Sequence, residues 1–169
     1  MGKRSIREQV FQLLFEIEFL DLESMPAQVE YFFERKLQGR IEDLEAKEFW
    51  AEDTPEHRVE MEKQKEAFAN DLISVKEEVS KKLFAILEVL PELDKDIAEK
   101  ITGWSPDRIG KIELTILRLA LYEMRYEEET SIAVSINEAV ELAKKFGPEK
   151  SPEFVNGVLA RLASGISGQ

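Results

Sequence analysis

The chain has no cysteine among its 169 residues, which excludes disulfides, thiol catalysis and thiolate metal sites. It has one histidine, His57, set in a polar stretch beside Pro55 and Arg58, where a surface position is expected. A helical di-iron centre needs Glu-x-x-His from two helices, and Thr54 stands where the first Glu would be. No apolar run reaches the roughly 18 residues of a membrane span. The opening M-G-K-R-S-I-R-E has no apolar stretch before a small-residue cleavage site and no Ser or Thr at position 6, so neither a leader nor myristoylation is expected. There is no phosphate-binding Gly loop, no nucleophile elbow and no zincin motif. A non-enzymatic, cytoplasmic protein without cofactor or metal is expected.

Positive charge is also in deficit: 23 Lys and Arg against 35 Asp and Glu, a net charge of −12. Nucleic-acid affinity rests largely on Lys and Arg contacts to phosphate, so any RNA site must be local and helped by a partner. Residues 1–20 are neutral, with three basic and three acidic side chains, and the acidic excess lies mostly in residues 21–90, ten basic against eighteen acidic.

What the chain does have is helical periodicity. Ser5-Ile6-Arg7-Glu8 reads as a capping box. It opens a helix to about Leu20 with Ile6, Val10, Leu13, Ile17 and Leu20 on one face. Ser24 and Pro26 open a second helix carrying Val29, Phe32, Phe33 and Leu37, for which Gly39 offers a stop. Residues 40–65 are charged and amphipathic, with Thr54-Pro55 as a fresh N-cap and N1 pair. From Phe68 to Leu90 apolar residues recur every three or four positions until Pro91. A short helix over 93–101 follows, then one from a Ser105-Pro106 cap, one ending at Gly147-Pro148, and one from Ser151-Pro152. No segment reads as a strand. The expected fold is all-α, about seven helices in two small adjoining bundles, residues 1–90 and 91–169.

Three features exceed what a helix requires. Lys3, Arg4 and Arg7 crowd the first helix, and Arg4 and Phe15 fall within about 20° of each other on a helical wheel. A cation and a ring on one stripe suit single-stranded RNA; the same residues also read as an ordinary basic helix start with Phe15 in the core. The break at 147–152 is followed by Phe154 and Asn156-Gly157. The glycine there costs roughly 1 kcal/mol against alanine and implies close approach of a helix or a ligand, or simply a tight loop with Phe154 buried. Arg118, between two leucines, needs a carboxylate partner, and with Glu113, Tyr122 and Glu123 it forms either an internal ion pair or a docking face.

The strings L-R-L-A-L-Y-E, I-N-E-A-V-E-L-A-K-K-F-G and F-V-N-G-V-L, in this order and spacing, resemble the NusB family of transcription antitermination factors. The resemblance spans roughly 3–18 and 72–163. It implies binding of boxA-type single-stranded RNA together with NusE, a small-subunit ribosomal protein. The assembly would act on RNA polymerase and promote processive transcription of ribosomal RNA operons. By this resemblance the RNA face holds Lys3, Arg4, Arg7, Gln12, Phe15, Lys150, Phe154 and Asn156, and the NusE face holds Glu113, Arg118 and Tyr122. Ser5 stands where a basic residue is common, Phe15 where Tyr is common, and Lys150 where an acid also occurs. The 40–65 segment is longer than the family leads one to expect. A similar domain is fused to some ribosomal-RNA cytosine methyltransferases, but this chain has no room for the methyl-donor domain. The alternatives are a helical protein–protein scaffold without RNA binding, and a homodimer that buries the Arg4–Arg7 surface.

Overall fold

The structure, a computed structural model, describes residues 2–101 and 108–167. Among the described residues there are seven α-helices and no strand: α1 Lys3–Phe15, α2 Met25–Phe49, α3 Pro55–Glu88, α4 Leu90–Lys100, α5 Lys111–Tyr126, α6 Ile132–Phe146 and α7 Ser151–Ser167. Short 3-10 turns at Glu16–Glu18 and Leu22–Ser24 join α1 to α2. Asp21 holds the second turn by accepting from the Ser24 backbone N–H at 2.9 Å and its hydroxyl at 2.7 Å.

α5 is the hub. Ten of its sixteen residues are buried, from Leu114 through Met124, the all-round burial of a helix enclosed by others. It packs against α1, α3, α4, α6 and α7. α1 buries Ile6, Val10, Phe11, Leu13 and Leu14 and lies against α3 on one side and α5 on the other. It thereby joins the α1–α3 layer to the α4–α7 layer, and one hydrophobic cluster runs from Ile6 to Ala163.

α2 and α3 pack side by side as a long hairpin, 25 and 34 residues. Its inner half joins the main core through Met25, Val29, Phe33, Leu72, Val75 and Val79. Its outer half has a small core of its own: Leu44 and Met61 are buried yet lie outside the main cluster. The tip turns at residues 50–54, where the Thr54 hydroxyl accepts from the His57 N–H at 3.1 Å and Pro55 opens α3. Arg58 clasps Asp53 across this turn at 2.7 Å.

Several sequence expectations need correction. α1 begins a turn earlier than Ser5, because Ile6 N–H already donates to the Gly2 carbonyl at 3.1 Å. Ser5 is therefore a helical residue, and its hydroxyl accepts from Gln9 instead of capping. α1 stops at Phe15, so Leu20 lies beyond it and is exposed. Gly39 stops nothing, and α2 continues through it to Phe49. The Ser105-Pro106 cap lies outside the described residues, and α5 itself starts at Lys111 behind Gly110. His57, expected at the surface, is half-buried, and its Nε2 has no hydrogen-bond partner.

Candidate nucleic-acid interface

Lys3 and Arg4 are exposed on the first turn of α1. Arg4 reaches α6, where its Nη2 and Nε donate to Glu138 at 2.8 and 3.0 Å. That hydrogen bond, reinforced by opposite charge, raises the Arg4 pKa and lowers that of Glu138. Arg7, one turn on, is only 7% exposed and turns inward. Its Nε and Nη2 each donate to Glu123 of α5 at 2.8 Å, and Lys82 of α3 approaches the same carboxylate at 3.3 Å. Burial pulls the Arg7 pKa down, but the hydrogen bonds and charge of Glu123 outweigh it and leave the pKa raised. Arg7 thus clamps α1 to α5 and presents no free guanidinium, so the direct phosphate contact expected of it is withdrawn.

Gln12 and Phe15 are half-exposed on the next turns. Phe15 belongs to a run of rings. Its centroid lies 5.2 Å from Phe19, edge to face, and 6.4 Å from Phe11, which in turn lies 5.0 Å from Phe146. Phe146 ends α6, and Lys145 beside it pairs with Glu8 of α1 at 2.7 Å. The helix-1 residues are thereby set beside the 147–150 loop, so α1 and that loop share one side of the molecule.

The loop is shaped by crowding at Gly147. A Cβ there would fall 2.7 Å from the Ser151 side chain and 2.9 Å from the Ala143 carbonyl. Ser151 is buried and donates to Glu113 of α5, tying α7 to the first turn of α5. Lys150 and Asn156 are exposed and Phe154 is half-buried. Gly157 is open, since an added Cβ would meet nothing within 4 Å. Among the described residues, no neighbouring helix explains this glycine. It borders a groove of about 640 Å³ lined by Ile109, Glu113, Lys150, Phe154 and Val158.

The profile of the NusB family matches residues 4–164. The chain belongs to the NusB family. Among curated relatives, it is 37% identical over 163 residues to "Transcription antitermination protein NusB" of Agathobacter rectalis, spanning 96% of this chain and all of that one. It is 34% identical over 162 residues to the NusB of Lachnoclostridium phytofermentans, covering 96% and 98%. The NusB of Bacillus subtilis aligns over only 81 residues, at 48% identity, covering 48% of this chain and 62% of that shorter protein. The fold is similar to that of T. maritima NusB, with a TM-score of 0.64, 29% identity, and 97% and 92% of the two chains covered.

The residues that the NusB resemblance assigned to a protein face do not form one patch. Glu113 sits with Lys150 and Phe154 in the groove beside α7. Arg118 is 7% exposed and is held by Asp94 at 2.7 Å and Glu18 at 2.5 Å. It is thus an internal tie between α5, α4 and the turn after α1. Tyr122 is half-exposed against Tyr126, 5.1 Å between centroids, in a concavity it shares with Lys3 and Arg7. Its pKa is raised, first by burial and then by nearby charge. Two residues near the face that the resemblance assigned to RNA were missed by sequence reasoning. Phe19 is 62% exposed, and the Lys111 ammonium sits 4.4 Å from its ring centroid. The spacing of Phe15 and Phe19, one helical turn apart, was the signal for the first; nothing in the sequence pairs Lys111 with it. Among the described residues no cluster of His, Cys, Asp or Glu could hold a metal ion, and no helix is long and apolar enough to cross a membrane.

Proposed function

We propose that the protein is a transcription antitermination factor that binds a short boxA-type single-stranded RNA element jointly with NusE and joins an RNA polymerase antitermination complex. The observation that carries this reading is the placement of exposed Lys3, Arg4 and half-exposed Gln12 on the same helix as Phe11 and Phe15, whose run of rings continues past the helix end to Phe19 and abuts Phe146, next to the Lys150 loop. Cations hold phosphates and half-exposed rings take up unstacked bases. The first turn of α1 adds backbone N–H groups with no partner inside the helix. Phe154 lines the groove that Gly157 borders, with Lys150 at its edge and Asn156 exposed next to it.

Family membership supports a regulatory, non-catalytic role. The net charge of −12 argues for few phosphate contacts and a required partner. NusE would supply further RNA contacts and a second interface, hence avidity. Its footing on this chain is split between two separate areas, around Glu113 and around Tyr122, with Arg118 keeping α5 in place.

The test is fluorescence anisotropy of a labelled boxA-type RNA and a scrambled control, with and without NusE. With three to four phosphate contacts, log K should fall against log salt with a slope of roughly −2 to −3 on single strands. Selective binding that tightens with NusE supports the proposal. A folded protein that captures NusE and ignores both RNAs would instead be a protein scaffold.

A further inference from the structure

The RNA face does not end at α1. Lys36 of α2 borders a shallow concavity with Arg4 and Gln12, so a chain lying on those two residues meets α2 next. There the cations are arranged in a particular way. The Lys36 ammonium lies 5.0 Å from the Phe32 ring centroid, the Arg35 guanidinium 5.8 Å from Tyr31, and the Arg40 guanidinium 5.9 Å from Phe68 of α3. Phe32, Lys36 and Arg40 recur at intervals of four, which puts them on one face of α2 with Tyr31 and Arg35 alongside. Tyr31 is 54% exposed.

No carboxylate holds these cations, although Arg35 also donates to the Tyr31 hydroxyl at 3.4 Å. None of Arg35, Lys36 and Arg40 forms an ion pair with a carboxylate among the described residues, whereas Arg4, Arg7, Lys76, Lys82 and Arg118 all do. Two of the nearby acids are engaged elsewhere: Glu30 pairs with Lys76 and Glu42 accepts from Gln38. Glu34 lies about 200° around the helix from Lys36. The stretch 31–40 therefore holds three cations against one acid in a molecule that is acidic as a whole. Beyond Arg40 the sequence turns acidic at Glu42, Asp43 and Glu45, which sets the end of the patch.

A cation resting on a ring keeps its outward side for a phosphate or a base, and such pairs suit single-stranded nucleic acid. An acidic peptide would value the charges equally, but the patch continues a surface already assigned to RNA. We propose that the Tyr31–Arg40 face of α2 is a second RNA subsite, which binds the single-stranded segment flanking the boxA-type element. This rests on the reading under Proposed function.

The experiment compares three RNAs: the boxA-type element alone, and the element extended by about six nucleotides on its 5′ or its 3′ side, within the range of single-strand site sizes. Each is titrated with the parent protein and with the triple variant Arg35→Gln/Lys36→Gln/Arg40→Gln, NusE present throughout. One extended RNA should bind the parent more tightly than the element alone, and the triple variant should lose that gain while binding the short RNA as before. Three lost contacts make the salt slope on that extended RNA shallower by about 2, a difference of roughly 15-fold across a fourfold change in salt. A 4-thiouridine in the extension should crosslink to the Tyr31 peptide. If neither extension tightens binding, or the variant matches the parent on both, the subsite does not exist. If even the short RNA fails to bind the folded parent, the reading under Proposed function falls, and this one with it.

Discussion

Arg4 and Arg7 lie one turn apart on α1 and do opposite things. Arg4 is held at the surface, 71% exposed, while the carboxylate opposite Arg7 is 1% exposed. Removing one partner of a buried pair leaves an uncompensated charge, which costs about 3–5 kcal/mol. Arg7→Ala should fall at the lower end, because Lys82 still faces Glu123, and urea denaturation would measure it. Arg4→Ala should leave the urea midpoint in place and weaken RNA binding at every salt concentration. Its effect on the anisotropy slope separates a phosphate contact from a structural role. Glu16 carries a different strain. It follows the last turn of α1, where the helix dipole disfavours negative charge. Its Oε2 is buried without a partner, and burial raises its pKa above the ordinary 4.5. An acid with a raised folded pKa destabilises the fold only once it ionises. The penalty is therefore absent below the unfolded value and grows as pH climbs from there through the folded value. Glu16→Gln should raise the melting temperature at pH 7, with the gain over the parent disappearing by about pH 4; equal melting at pH 7 would refute this.

At the scale of elements, the α2–α3 hairpin separates what the sequence revealed from what it hid. Thr54-Pro55 announced the start of α3, since capping and N1 proline are local chemistry. Gly39 misled because a lone glycine costs only about 1 kcal/mol in a helix, less than α2 gains by packing along α3. Ser5 misled because a capping box is only a local pattern, and here the helix hydrogen bonding already begins at the Gly2 carbonyl. Of the site, the exposed ends were legible: Lys3, Arg4, Lys150 and Asn156 break the apolar pattern. The burial of Arg7 was not, because its partner Glu123 stands 116 residues away. The cationic face of α2 escaped too, since periodicity reports the inward side of a helix and not what decorates the other. The separate placement of Leu44 and Met61 yields a prediction. Replacing residues 43–62 with a short turn should leave the main cluster intact, so boxA-type RNA and NusE binding should persist in anisotropy titrations. Loss of fold in circular dichroism would show that the outer hairpin supports the core.

For the molecule as a whole, binding and approach should respond to salt in opposite ways. Phosphate contacts make the equilibrium weaken as salt rises. The net charge of −12 repels approaching RNA at low salt, and added salt screens that repulsion, confining it to within about 10 Å at 0.1 M. Stopped-flow association should therefore stay level or quicken as salt rises toward 0.15 M, with the loss of affinity appearing in dissociation. An association rate that drops steeply would show that the basic face governs the encounter. The reach of α3, 34 residues or roughly 50 Å, also bears on how the molecule comes apart. Its inner half is fastened by the shared core, while its outer half depends on two buried side chains and a clasped turn. Phe49 and Trp50 are 79% and 86% exposed beyond them. Backbone amides near the tip should exchange with deuterium through small, frequent openings, and those of α5 only when everything unfolds. The protein has two clocks, and the faster one runs at the tip of the hairpin.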